Sequence, residues 1–570
     1  MPAAAPEGTK TVALMSVAGA VAGHKGVQHE RYGFDLVRTE FVPEVNSEVA
    51  IYRHRETGAE VLSMANRDKN KAFSVVFRTA PTDSTGLPHI LEHSVLCGSR
   101  KYPVKEPFVE LLKGSVNTFL NAFTYPDKTC YPLASCNLKD FYNLIDVYLD
   151  AVFYPNITEQ TLMQEGWHLE LEKPEDPLTY KGVVFNEMKG VYSQPDSIMW
   201  TACQLALFTD LECTYSVDSG GNPTNIPDLT FEQYQAFHKN YYHPSNARFF
   251  FYGDDPLEQR LHILEEYLRD FRRNTTVDTT IKYQRKFAEP RHVVHQYAAG
   301  QEEDLQTRTM VCVNWILHWE PLSPAEDMAV VILDDLLMGS NAAPLRRALN
   351  ESGLGESVIG GGLDDTLRQR TFTVGLKNIH AEDVQRVEDL ILETLQRVAQ
   401  EGFTAEAIEA SLNSNEFQWR ELNTGSFPKG ISIMLDSLKD WLHDMDPLQP
   451  MKHESPLAHL KTQLAARGTE VFTALIRTYF LENTHRVTVE LRPNARLGDE
   501  IEQEEEERLK RIKSGMTDDE ILKVIETKNA LQVKQETPDS PEALKSIPSL
   551  RLSDIPTESY KTPTTIDTIL

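Results

Sequence analysis

The hydrophobic pattern changes period along the chain, and the changes mark out its elements. Arg31–Leu36, Glu48–Arg53, Glu60–Ala65 and Ala72–Arg78 show the β-rich alternation of strands, so a sheet is expected first. Within Asn137–Ala151, Phe141, Leu144, Ile145 and Tyr148 recur at helical spacing. Phe231–Tyr242 predicts a second helix, stopped by His243-Pro244. Arg248–Gly253 is continuously apolar enough for a buried strand, and the polar tract Thr275–Glu289 marks a boundary.

Beyond that boundary the pattern repeats. Leu96-Cys97-Gly98-Ser99 is echoed by Leu337-Met338-Gly339-Ser340 at an offset of 339 − 98 = 241. Asn137, which opens a helix after the strand Tyr131–Ser135, matches Asn378 after Phe372–Leu376 at 378 − 137 = 241. One offset shared by two landmarks predicts a duplicated domain. Asp499–Lys513 and Thr517–Lys528 then predict a helical hairpin, the second helix opened by a capping box of Thr517 and Glu520. Glu506 and Arg511 are only loosely placed for an i,i+4 pair, and a solvated acidic arm is the competing reading of this segment. The expected limits are a leader or targeting remnant at 1–26, domains at 27–285 and 290–496, the hairpin linker at 497–536, and the start of a further, missing half at 537–570.

Composition narrows the partners. A length of 570 residues with 41% apolar content supports more than one core. A formal charge of −28 argues against nucleic-acid or anionic-membrane binding, which needs clustered Lys and Arg, and suits a cationic ligand or plain solubility. No apolar run approaches the ~20 residues of a membrane span. Thr11–Gly23 is Ala/Val/Gly-rich but lacks the flanks of a signal or transit peptide. The cysteines at 97, 130, 136, 203, 213 and 312 form no Cys-x-x-Cys pair and fit a reducing compartment, with Cys97 either a buried hydrophobe or a redox-sensitive neighbour of the chemistry below. Gly360-Gly361-Gly362 lacks the phosphate-loop pattern and predicts a turn.

The chemistry concentrates in Ser84-Thr-Gly-Leu-Pro-His-Ile-Leu-Glu-His93. Ser or Thr as N-cap and Pro88 in the first turn predict a helix here. Residues i and i+4 share a helix face, so His89 and His93 can present two imidazoles to one ion, with Glu92 beside them as a general base. This is the His-x-x-Glu-His arrangement of the inverzincins. A catalytic zinc needs a third protein ligand and one open position. Glu187, 187 − 93 = 94 residues on in Phe185-Asn-Glu-Met-Lys-Gly190, is either an exposed helix glutamate or that ligand, and the upstream motif favours the ligand.

Gly86–Ser99, Asn121-Ala-Phe-Thr-Tyr-Pro-Asp-Lys-Thr-Cys-Tyr-Pro132 and Gly182–Gly190, read together, resemble the pitrilysin-type zinc metallopeptidases, and closely their presequence protease branch. The resemblance runs from about Tyr32 to the hairpin. It implies α+β domains in tandem, antiparallel sheets packed with helices, with one zinc held in the first copy by His89, His93 and Glu187, and Glu92 as base. At the offset of 241, His89, Glu92 and His93 face Val330, Leu333 and Asp334 in the second copy, which cannot bind the metal. The resemblance further implies that Asn121, Ala122, Phe123 and Thr124 form an edge strand pairing with the substrate backbone. Sequence alone allows an interior strand equally.

It also implies degradation of short unfolded peptides, including cationic presequences, in the mitochondrial matrix or plastid stroma. Members of this branch close two such halves into a chamber, and an Arg and a Tyr from the second half steady the substrate carbonyl. This chain shows no counterpart of that half, so a slow or inactive peptide-binding half that needs a partner is the competing expectation. A third reading is a non-catalytic scaffold, which the intact ligand set opposes.

Overall fold

The computed structural model describes residues 32–300 and 305–557, and the expected leader at 1–26 and the residues after 557 lie outside it. The strands of the first domain are β1 (Phe34–Val42), β2 (Ser47–His54), β3 (Glu60–Ala65), β4 (Lys71–Arg78), β5 (Asn117–Leu120), β6 (Phe123–Thr124), β7 (Lys128–Ser135), β8 (His168–Glu170), β9 (Thr179–Lys181) and β10 (Ala247–Gly253). Those of the second are β11 (Arg291–Ala298), β12 (Thr309–Ile316), β13 (Ser357–Asp364), β14 (Thr371–Ile379) and β15 (Arg486–Asn494). The expected strand at 31–36 therefore runs further, to Val42, where Pro43 ends it.

The larger sheet has the order β1-β2-β3-β10-β4-β7-β5, with β6 also on β7, and the second has β11-β15-β12-β14-β13. The five strands β3-β10-β4-β7-β5 and β11-β15-β12-β14-β13 repeat one topology. Each set has one parallel pair, β10 with β3 and β15 with β11, and is otherwise antiparallel. The protein is thus α+β with two domains of one fold. One landmark of the repeat differs in detail: Asn137 caps the helix Leu138–Phe153, accepting from the Asp140 amide, whereas Asn378 lies inside β14 at φ 59°. The helix Val384–Glu401 starts only after a 3₁₀ turn, Ala381–Asp383.

Central strands are buried on both faces, which is why β4, β7 and β10 are apolar or small over most of their length. On one face Phe73, Val75, Phe249 and Phe251 pack with Phe141, Leu144, Ile145 and Tyr148 of the helix Leu138–Phe153. On the other, Ala72, Val76, Phe250 and Tyr252 meet Ile431, Met434, Leu438 and Trp441. That second cover is the helix Lys429–Trp441, which belongs in sequence to the second domain. Reciprocally, Met199, Ala202, Cys203 and Ala206 of the helix Pro195–Leu207 pack on Met310, Cys312, Val487 and Val489 of the second sheet. Each sheet is closed by a helix from the other half of the chain.

The hairpin forms as Leu497–Gly515 and Asp518–Glu536, and the capping box of Thr517 and Glu520 is present. It is docked on the first domain, with Leu509 buried in that core and Ile512, Ile521 and Val524 against it. Glu506 pairs with Lys510 (2.9 Å) one turn on, the spacing a helix favours, and not with Arg511. Gly360–Gly362 forms no turn. It is a bulge inside β13, where the register shifts between Ile359 and Gly362 and all three residues have positive φ. No helix of the described residues is long and apolar enough to cross a membrane.

Candidate metal centre

The helix Leu87–Ser94 carries His89, Glu92 and His93, with Pro88 in its first turn. Its N-cap is Gly86, not Ser84 or Thr85, and no side chain caps it. Gly86 sits at φ 71°, and a Cβ there would lie 2.8 Å from the Gly220 carbonyl oxygen and 2.9 Å from Gly221 Cα. The close approach takes the place of a cap because it brings Gly220 over the first turn. The Gly220 carbonyl oxygen lies 3.0 Å from His89 Nδ1, which places the ring proton on Nδ1 and leaves the Nε2 lone pair free.

The helix Val183–Val191 brings up Glu187, which is about half exposed. Its Oε2 lies 3.8 Å from His89 Nε2 and 3.8 Å from His93 Nε2. One donor atom from each of the three residues falls within 4.8 Å of the others, and this trio could hold a metal ion. Donors ~2.0–2.2 Å from a shared ion stand a little over 3 Å apart, so the spacing fits after small side-chain adjustments. Two imidazoles and one carboxylate suit zinc and leave a fourth position open.

Glu92 projects beside the trio and accepts a hydrogen bond from the Thr124 hydroxyl (2.5 Å). Thr124 belongs to β6, at the outer margin of the sheet, so the segment Asn121–Thr124 does lie at an edge. His89, Glu92, Ala122, Phe123, Thr124, Tyr125 and Gly220 line one open cleft of about 400 Å³. In the second domain the corresponding positions lie on the helix Pro324–Met338, where Val330 and Leu333 are buried and Asp334 accepts from the Leu363 amide (3.0 Å).

Partners that sequence reasoning missed surround the trio. Glu165 Oε2 lies 3.4 Å from His93 Nδ1, and Glu165 Oε1 accepts from Cys97 Sγ (3.2 Å) and Gln164 Nε2 (2.8 Å). Burial opposes charge on both His93 and Glu165. The hydrogen bond between them prevails, reinforced at His93 by Glu92 and Glu187, so the imidazole's pKa is raised and the Glu165 carboxyl's lowered. Cys97 is a buried thiol whose pKa burial and Glu165 push far upward, so it is no thiolate nucleophile. All six cysteines are free.

Comparison with known proteins fits this geometry. The family model Insulinase (Peptidase family M16) matches residues 77–182, and Peptidase M16 inactive domain matches 228–415. A third model, for the region associated with subfamily C of the same peptidases, matches 491–569. Presequence protease 1, chloroplastic/mitochondrial, of Arabidopsis thaliana is 53% identical over 544 residues, covering 95% of this chain. The chain belongs to the M16 pitrilysin family. Presequence protease, mitochondrial, of Xenopus laevis is 38% identical over 92% of the chain, and Protein HypA of Clostridium perfringens 42% over 93%. The chain spans about half the length of these relatives, 50% to 54% of each, and it corresponds to the N-terminal half of the presequence proteases. Among M16 structures, pitrilysin superposes with a TM-score of 0.55 at 15% identity, over 81% of this chain and 46% of that one. An M16 inactive domain from Pseudomonas fluorescens gives 0.59 at 15%, over 78% and 98%. At such identity these two establish the fold.

Proposed function

We propose that this M16 chain carries the catalytic centre of a zinc endopeptidase that cuts short, unstructured peptides. The observation that carries the reading is the convergence of His89, His93 and Glu187 at one point, with Glu92 beside them in a cleft bordered by an edge strand. One zinc per chain would be held by the two Nε2 atoms and the Glu187 carboxylate. When bound, the ion supplies Lewis acidity and lowers the pKa of a water in its open position towards ~7. Glu92 accepts that proton and returns it to the leaving amine, while the Thr124 hydroxyl holds the carboxylate in place. The Asn121–Thr124 edge offers main-chain groups to an extended peptide, which recognises backbone in preference to side chains.

Relatives named presequence proteases, chloroplastic or mitochondrial, support cleaved organellar targeting peptides as the substrate class and the matrix or stroma as the compartment. The charge of −28 favours cationic peptides. We further propose domains at 27–285 and 290–496, joined to a hairpin linker at 497–536. The relatives' double length supports a second homologous half, in cis or in trans, that completes a chamber and raises turnover.

The test is Glu92→Gln. We expect hydrolysis of a presequence peptide to fall at least ~10³-fold while the protein still binds one zinc. Hydrolysis that survives this change, or a native chain that binds no zinc, would overturn the reading.

A further inference from the structure

A five-residue π-turn, Leu162–Gly166, lies between the two helices that carry the ligand trio, and the proposed chemistry gives it no part. π-turns are rare and recur at functional sites. A Cβ on Gly166 would come within 3.1 Å of Ile90 Cγ2 in the histidine helix. A Cβ on Gly182, the N-cap of the Glu187 helix, would collide with the Gly166 carbonyl oxygen. The turn thus touches both helices at close range and sets the gap between them.

Glu165 is its buried charge, with a side chain only 9% exposed. One of its oxygens faces His93 Nδ1 at 3.4 Å, and the other takes the Cys97 thiol and the Gln164 amide. The two imidazoles are consequently held in the same sense, each turned outward by Nδ1 and inward by Nε2. Their partners differ in kind, since a neutral carbonyl holds His89 and a carboxylate holds His93. A carboxylate partner fixes the tautomer and raises the basicity of the ligating nitrogen more than a carbonyl does.

We propose that Glu165 is a positioning residue of the metal centre, holding His93 with its proton on Nδ1 and its Nε2 lone pair directed at the ion. This rests on the zinc reading of the trio. Loss of such an outer partner commonly costs ~10- to 100-fold in metal affinity.

The experiment titrates the metal-free full chain with Zn²⁺ against a chromophoric chelator, and with Co²⁺ to read the visible ligand-field band. Folding is followed by circular dichroism and thermal melting. Glu165→Gln should weaken zinc ~10- to 100-fold and shift the Co²⁺ band at an unchanged metal-free melting temperature, whereas Cys97→Ala should stay within about threefold of the parent. Glu165→Asp, which keeps the charge but shortens its reach, should fall between and decides the question if the Gln variant misfolds. A folded Glu165 variant with zinc affinity within about twofold of the parent and an unshifted band overturns the proposal while leaving the zinc site intact. A parent chain that binds neither metal overturns both.

Discussion

Thr124 reaches the proposed base from across the cleft, and its hydroxyl is the hydrogen-bond donor the structure gives to the Glu92 carboxylate. A charged acceptor that loses such a donor loses about 1.5–3 kcal/mol of orientation, less whatever water replaces. Thr124→Val should therefore lower kcat for peptide hydrolysis about 3- to 30-fold, with zinc stoichiometry unchanged, and Thr124→Ser should restore most of it. Steady-state kinetics beside metal analysis would check this, and equal loss in both variants would remove the hydrogen bond as the cause. At this scale the sequence was informative where chemistry is local. His89 and His93 are four residues apart on one helix, so spacing alone put them on one face. Their outer partners were illegible because they come from other elements: Gly220 stands 131 residues from His89, and Glu165 lies 68 beyond Cys97. The helix start was misread for the same reason, since the backbone of Gly220 and Gly221, not a polar cap, holds Gly86.

Elements show the same division between local and distant causes. The capping box of Thr517 and Glu520 is written within four residues and formed as expected. Whether the hairpin would be a solvated arm or a docked element depended on what it meets, and it meets the first domain's core. Its polar contacts there include Lys189 to Glu505 at 3.0 Å, two residues past Glu187. Both partners are part-exposed, 45% and 30%, and such pairs are worth ~0–1 kcal/mol. Leu509, only 6% exposed, is worth more, because a buried Leu→Ala change costs ~2–5 kcal/mol. Denaturant melts should thus show Leu509→Ala destabilising the chain by at least ~2 kcal/mol and Glu505→Ala by less than ~0.5 kcal/mol. The reverse order would mean that the hairpin is held by charge. The exchange of helices 195–207 and 429–441 was equally invisible beforehand, since an apolar stripe announces that a helix is buried but not against which sheet.

For the whole molecule, that exchange makes the contact between domains part of each core, and one histidine sits in it with both nitrogens committed. His485 is fully buried, accepts the Phe287 amide at Nδ1 (3.1 Å) and lies 2.9 Å from the Leu207 carbonyl at Nε2, so the neutral tautomer satisfies both. Phe287 comes from the tract between the domains, and Leu207 ends the helix that crosses to the second sheet. A second proton would have to go on Nδ1, against the Phe287 N–H. Burial already pulls the pKa to about 4, below the ordinary 6.5, and His238 and His443 are likewise pushed to about 4 by burial. With the folded pKa depressed, the unfolded chain takes up protons first as the pH falls. The stabilisation is complete above pH 6.5 and is lost between there and about pH 4. Burial lifts Asp334 and Asp440 to about 6, so these carboxyls bind protons in the folded state first and offset part of the loss below pH 6. At pH 5 a shift from 6.5 to about 4 corresponds to about 2 kcal/mol for His485 alone. His485→Gln keeps an acceptor and a donor but cannot titrate. Although the variant starts less stable, its melting temperature should fall less between pH 7.5 and pH 5 than the parent's, by several degrees. Parallel pH profiles for the two proteins would show that the interdomain histidine is not what acid attacks.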